Sequence, residues 1–136
     1  MKRTLSFILA IAMVVSFCTC FSLNASAETY VAEINGTQYT SIQAAVDAVT
    51  AGQTITLLTD FEDGGVKVPS GKEFTLDFAG HTLTVGTPLV GSTGTETNGF
   101  QLLKDSTITM KNGIITTTTA KILIQNYSNL TLQDMT

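Results

Sequence analysis

Val66-Lys67-Val68, Phe74-Thr75-Leu76-Asp77-Phe78 and Thr82-Leu83-Thr84-Val85 are three short runs in which apolar and polar residues alternate. Period two places successive side chains on opposite faces of a strand, so each run reads as a strand with one apolar face. Pro69-Ser70-Gly71 and Ala79-Gly80-His81 separate the runs and read as turns. The unit recurs. The apolar residue that opens one run leads to the next eight positions later, from Val66 to Phe74, from Phe100 to Ile108 and from Ile122 to Leu130. A third strand follows around Leu83 to Val85 and around Ile114-Ile115. Phe100 to Ile122 is 22 residues, within the range of one solenoid turn. Val66 to Phe100 is 34, because the Gly/Thr-rich stretch from Gly86 to Asn98 intervenes, and that stretch is expected to be a loop. Such units cannot bury an apolar face alone, but stacked about 4.8 Å apart they form three parallel sheets around a narrow core. The expectation is an all-β chain, a parallel β-helix.

Upstream the period changes. Val31-Ala32-Glu33-Ile34 and Thr37-Gln38-Tyr39 flank Asn35-Gly36, the dipeptide that suits a two-residue hairpin turn, which predicts an N-terminal β-hairpin. Thr40-Ser41-Ile42-Gln43 has capping-box spacing, with the Thr40 hydroxyl accepting from the Gln43 amide and the Gln43 side chain reaching back. Ile42, Ala45, Val46 and Val49 form one apolar stripe at helical spacing, and Gly52 is placed to end the helix in a left-handed conformation. A short amphipathic helix over 41–50 is therefore expected, positioned to cap the open first end of the stack. Thr54-Ile55-Thr56-Leu57 then resumes the alternation. The organisation expected is a signal peptide over 1–27, hairpin, capping helix and first strand over 28–58, and β-helix coils over 59–136.

Ile34-Asn35-Gly36, the run Tyr39 to Ala48, Gly52 to Leu58, and Leu76 to Leu83 together resemble the N-terminal segment of bacterial secreted right-handed β-helix proteins of the pectate lyase-like superfamily. The resemblance covers about Val31 to Leu132. It implies a right-handed coil in an extracellular or cell-wall setting, commonly within a longer surface protein, and it leaves activity open, since that superfamily includes lyases, glycoside hydrolases and non-catalytic adhesins.

Export is read from residues alone. Lys2 and Arg3 form a positive leader, Leu5 to Val15 is almost wholly apolar, and Ala25-Ser26-Ala27 supplies the small residues of a cleavage site at Ala25 and Ala27. An uncleaved anchor fits less well, because Ser16, Thr19 and Ser22 interrupt the apolar stretch. No membrane span is expected after cleavage. Cys18 and Cys20 both fall in the leader, so the mature chain has no cysteine and must be held by packing. From Glu28 onward five lysines face eleven Asp and Glu, net charge −6, and no arginine remains. Acidic surface repels phosphate backbones, which argues against nucleic acid and favours neutral glycans or host and cell-wall proteins as partners.

Chemistry is sparse. The resemblance implies that a lyase would use calcium-holding aspartates and a proton-abstracting arginine, and the mature chain lacks the arginine. Glycoside hydrolysis needs two carboxylates about 5–9.5 Å apart across one bond. Asp60, Glu62 and Asp63 before Gly64-Gly65 are the calcium candidates, although they lack the ligand spacing of a binding loop and suit a solvated turn. Calcium is the one cofactor left open. Asp77 is an outward neighbour of Phe74, Leu76 and Phe78, so it faces solvent or a stacked threonine. His81, the only histidine, stands in a turn with no partner at a recognisable spacing. Asn112-Gly113 and Asn126 read as turn formers. Thr116 to Thr119 project from a strand face and suit strand geometry. Tyr39 and Tyr127 are too distant in sequence to argue a stacking platform. Asn35 and Asn129 head glycosylation sequons that carry no weight in a bacterial exporter. No catalytic residue is assigned.

The function expected is a non-catalytic secreted or cell-surface β-helix segment, acting in adhesion or carbohydrate recognition. The alternative is the N-terminal part of a polysaccharide-degrading enzyme with its active site beyond residue 136. Asn129-Leu130-Thr131-Leu132 matches Thr107-Ile108-Thr109-Met110 one unit earlier and no third strand follows, so a truncated last coil and edge-to-edge self-association are expected. Mass spectrometry of exported material should find Glu28 as the N-terminus, and an intact Met1 on the secreted form would refute the signal peptide.

Overall fold

The computed structural model describes residues 27–136. The leader reading, with cleavage residue Ala25, lies outside the described residues. The described chain is mostly β, with twelve strands and one short helix. Among the described residues no helix is long and apolar enough to cross a membrane.

β1 (Ala32–Ile34) and β2 (Thr37–Tyr39) form the expected antiparallel hairpin, in register from Ala32 opposite Tyr39 to Ile34 opposite Thr37. Asn35 (φ 50°) and Gly36 (φ 83°) both take the left-handed conformation that a two-residue turn of this kind demands. The helix, α1 (Ile42–Ala48), is shorter than the 41–50 expected, and its N-cap is Ser41 rather than Thr40. Ser41 Oγ accepts from the Ala44 amide at 3.2 Å. Gln43 does not reach back to close a capping box; it goes to another strand. Ile42, Ala45 and Val46 are buried, so the predicted stripe does face the core. Val49 ends the helix in extended backbone, and Gly52 (φ 78°) turns the chain after it rather than closing its last turn.

The remaining strands are β3 (Gln53–Leu57), β4 (Phe61–Asp63), β5 (Val66–Val68), β6 (Glu73–Asp77), β7 (Thr82–Val85), β8 (Val90–Ser92), β9 (Thr95–Leu102), β10 (Thr107–Thr117), β11 (Ile122–Asn126) and β12 (Asn129–Met135). They pair in three parallel ladders. The first is β3, β6, the front half of β10, and β12. The second is β4, β7 and the back half of β10. The third is β5, β9 and β11. The insertion expected as a loop is instead an antiparallel hairpin, β8 with the start of β9, because Ser92-Thr93-Gly94-Thr95 gives it a turn and β9 an edge to pair with.

Parallel pairing in register aligns like residues in columns. Phe74, Ile108 and Leu130 share one position, Leu76, Met110 and Leu132 the next. Val66, Phe100 and Ile124 share another, so the equivalent of Phe100 is Ile124 and not Ile122, which pairs with Asn98. The eight-residue offset therefore holds for two layers and shortens to six in the third. Between these columns, Thr54, Thr75, Thr109 and Thr131 stand in one outward row. A methyl and a hydroxyl on one β-branched carbon suit that half-exposed, pleated position, where cross-strand threonines support one another. The inward columns, α1 and the hairpin make one core with Ile55, Leu57, Phe78, Leu83 and Val85 wholly or almost wholly buried.

The corner between the first two ladders is set by left-handed residues, Ala79 (φ 51°), Asn112 (φ 61°) and Asp134 (φ 51°). Asp77 pairs with Lys111 and Thr82 with Ile114, so residues 78–81 make the turn in one layer and only 112–113 in the next. Phe78 takes up the difference. Its side chain lies where a Cβ on Gly113 would be, and the His81 carbonyl stands 2.6 Å from the same point. Gly113→Ala should therefore destabilise the fold by about 1–3 kcal/mol or more, as overpacking against backbone does. Gly80→Ala, where nothing stands in the way but φ is 86°, should cost about 1–2 kcal/mol for the left-handed backbone alone. Urea-unfolding midpoints of the two variants check the order.

Candidate functional site

Strand alternation on the third ladder sends Val66, Val68, Phe100 and Leu102 into the core, where all four are buried. Lys67, Gln101 and Gln125 are in register between them and form an outward column. Gln101 is only 6% exposed, and Asn98 only 3%. Both meet at one atom. Gln125 Oε1 accepts from Asn98 Nδ2 at 2.9 Å and from Gln101 Nε2 at 2.9 Å. Its two lone pairs are thus filled, and no hydrogen bond joins Gln125 Nε2 to another described residue. Asn98 Oδ1 is buried with no hydrogen-bond partner among the described residues. A buried amide oxygen left so is worth about 1–3 kcal/mol to any donor that reaches it.

The next outward column continues the ladder by main-chain bonds, Leu103 N–H to Val68 O at 3.1 Å and Tyr127 N–H to Leu102 O at 2.9 Å. Tyr127 is 60% exposed. Tyr127 follows the end of β11, two residues after Gln125 in the chain. The column therefore carries the Gln125 amide donor and the Lys67 position on its outward side, while Asn98 Oδ1 stays buried beneath it. No pocket is present among the described residues.

The carboxylates singled out in the sequence are used separately. Asp63 Oδ2 accepts from the Ile42 amide at 2.8 Å and its Oδ1 from the Gly64 amide at 2.8 Å, so it fastens the start of α1. Asp60 Oδ1 accepts from the Thr82 amide at 2.8 Å and lies 3.2 Å from His81 Nδ1. Glu62 packs over Gly86. Among the described residues no three of His, Cys, Asp and Glu come together to hold a metal ion. His81, read as solitary, has Asp60 as its partner because β4 pairs with β7. No further side chain joins that pair by a hydrogen bond among the described residues. Asp77 does face outward, held by the Ala79 amide (2.9 Å), Asn112 Nδ2 (3.1 Å) and Lys111 Nζ (3.2 Å). Asn112 is a turn former as expected, and Asn126 accepts from the Ser128 amide at 2.8 Å. Thr117 Oγ1 donates to the Val85 carbonyl at 2.7 Å and Thr119 Oγ1 to the same carbonyl at 3.5 Å, so two of the four threonines clasp β7. Tyr39 is half-buried against the core.

Asn98, Gln101 and Gln125 were not singled out from the sequence. The signal was there: Gln101 and Gln125 each follow the inward residue of their strand, Phe100 and Ile124. Aligning Phe100 with Ile122 sets Leu123 in the place of Gln125 and hides the column.

A comparison of the chain with protein-family models, with curated proteins and with solved structures finds no match.

Two carboxyls titrate below their usual range. The Thr82 amide, and then the His81 ring, hold Asp60 down. Partial burial alone would raise Asp77, and the Ala79 amide, the Asn112 side chain and Lys111 outweigh it. A carboxyl lowered on folding binds fewer protons in the native state, so its contribution is present above the unfolded value of about 3.9 and is lost as pH falls through the folded one. Urea midpoints should hold steady from neutral pH down to about pH 5 and then fall. Asp60→Asn and Asp77→Asn should each flatten that acid-side fall, measured as the difference between midpoints at neutral and acid pH.

Proposed function

We propose that the chain is a non-catalytic, secreted or cell-surface segment that recognises neutral carbohydrate, built as a right-handed parallel β-helix of the pectate lyase-like kind. The observation that carries this reading is the convergence of Asn98 and Gln101 on the Gln125 amide, with the exposed Tyr127 two residues further along the chain. Sugar rings present vicinal hydroxyls that both donate and accept, and a C–H face that packs on an aromatic ring. The amide donor of Gln125 and the exposed phenol ring of Tyr127 match those needs. The net charge of −6 from Glu28 onward disfavours polyuronates. Adhesion follows from carbohydrate binding without turnover, and export is supported by the leader and the absence of cysteine after it.

NMR titration of the purified chain with neutral oligosaccharides should shift the side-chain amides of Gln101 and Gln125 and the ring of Tyr127. Tyr127→Ala should weaken binding about tenfold, the scale of a lost ring contact. Polygalacturonate should bind less well, and neither unsaturated sugars nor reducing ends should be released from it or from neutral glycans. Shifts confined to other faces would refute the site, and turnover abolished by one substitution in this chain would refute the non-catalytic reading.

A further inference from the structure

Three of the asparagines from Glu28 onward precede a glycine: Asn35, Asn98 and Asn112. An Asn-Gly pair can rearrange without an enzyme. The glycine amide nitrogen, having lost its proton, attacks Cγ of the asparagine; the N–Cγ bond forms, the Cγ–Nδ2 bond breaks and ammonia leaves, closing a five-membered imide. Water then adds to one of the two imide carbonyls. Opening at the side-chain carbonyl gives aspartate, and opening at the main-chain carbonyl gives isoaspartate, in which the chain runs through Cγ. One water enters and one ammonia departs, with no oxidant or reductant. Glycine favours the attack because no Cβ hinders its nitrogen and its backbone turns freely. The folded chain then decides which pair reaches that geometry.

Two of the three are held. Asn98 is buried, and its Nδ2 donates to Gln125 Oε1 at 2.9 Å. Its strand is paired on both sides, with Val90 and with Ile122, and Leu123 O stands 2.7 Å from where a Cβ on Gly99 would be. Asn112 donates through Nδ2 to Asp77 Oδ1 at 3.1 Å, and Gly113 is walled in by Phe78 and the His81 carbonyl. Neither pair turns without opening the ladders around it. Asn35-Gly36 is different. Both residues are exposed at the tip of the β1–β2 turn, outside the paired positions, and nothing lies within 4 Å of a Cβ built on Gly36. The Asn35 side-chain amide has no hydrogen-bond partner among the described residues, and β2 pairs there with β1 alone.

The two products differ in what they do to the turn. Aspartate keeps the main chain and, like asparagine, tolerates the left-handed conformation that φ 50° at this position requires. Isoaspartate adds a main-chain carbon to a two-residue loop whose length fixes the register of Ile34 opposite Thr37. β1 remains bonded to β3, with Ala32 opposite Leu57 and Glu33 opposite Thr56, so the strand released is β2.

We infer that Asn35 is a site of spontaneous modification, converted through a cyclic imide with Gly36 to isoaspartate and aspartate, and that the isoaspartyl form frees β2 from the hairpin. The purified chain, held warm at mildly alkaline pH and mapped by mass spectrometry, should exchange amide for acid at Asn35 about tenfold or more faster than at Asn98 and Asn112, because local opening gates each site. In urea, where all three pairs are unfolded, the rates should converge. Transfer of a labelled methyl group by an isoaspartyl methyltransferase should find isoaspartate in the aged chain. Asn35→Gly, which keeps a Gly-Gly turn of the same type, should fold as wild type without gaining that label. Hydrogen exchange on the aged chain should show protection lost at the Val31 amide, which donates to Tyr39 O at 2.9 Å, and kept at the Leu58 amide, which donates to Val31 O at 2.9 Å. Conversion at Asn98 or Asn112 as fast as at Asn35 in the native chain, a difference between the sites that persists in urea, or a Val31 amide as protected after isoaspartate has formed as before would each overturn the inference.

Discussion

A parallel ladder has a first strand with a neighbour on one side only, and every later strand is registered on that one. The closure of the first edge therefore conditions the rest. Three parts of the chain share it. The β1–β2 hairpin supplies an antiparallel strand to β3. Asp63 takes the Ile42 amide, one of the donors that the start of a helix leaves unpaired. Gln43 then replaces a strand against Lys67 with its side-chain amide. A glutamine suits this task because its carboxamide carries the same donor and acceptor as a peptide group. Glutamate at 43 would match the amide of Lys67 but oppose its carbonyl, and leucine would match neither. Lys72 adds a second tie, donating to the Val49 carbonyl at 2.9 Å after the helix has ended. The cap is thus fixed to the ladders at both its ends by polar contacts, while Ile42, Ala45 and Val46 close the core beneath it.

Once the first edge is set, columns propagate by the backbone alone, and side chains only have to agree. They agree most where the volume is most constrained. Phe74, Ile108 and Leu130 differ in shape yet stack, because each is branched or planar enough to fill one pleat position. The corner does not repeat so evenly. One layer uses four residues where the next uses two, and the extra bulk of Phe78 is accommodated by the missing side chain of Gly113. Small irregularities of this kind separate the layers from exact copies, and they explain why the chain can carry different chemistry at equivalent positions.

The same irregularity explains what could be read from residues in advance. The hairpin, the buried stripe of the helix, and the alternating strands were legible because each rests on a local pattern: a turn dipeptide, a 3.6-residue spacing, a two-residue spacing. The all-β character follows from these. Register between distant strands rests on no local pattern. The eight-residue offset located two layers correctly and misplaced β11 by two positions, since the connection from β11 to β12 is shorter than its predecessors. Within a strand a two-residue slip keeps apolar residues inward, so nothing in the hydrophobic pattern flags it. The amide column was lost to that slip. The hairpin inside the insertion was missed for a different reason: Thr95 to Asn98 has no apolar alternation, and its pairing comes from β8 and β11 on either side. The Asp60–His81 contact joins residues 21 apart, and only the β4–β7 pairing brings them together.

Polar groups in this chain divide into those that close the fold and those left over. Asp63, Gln43, Lys72 and Thr117 each satisfy main-chain groups that parallel pairing would strand, and Asp77 anchors a left-handed corner through the Ala79 amide. None of these side chains is available to a ligand without loosening the structure. Asn98, Gln101 and Gln125 differ, because their bonds are to one another and leave an acceptor on Asn98 unfilled. A cluster serving the fold alone would do better with apolar residues of similar size, since an unpaired buried amide oxygen is destabilising. A buried asparagine and a buried glutamine nonetheless converge on Gln125, whereas Asp60 and Asp63 of the acidic turn already hold main-chain amides.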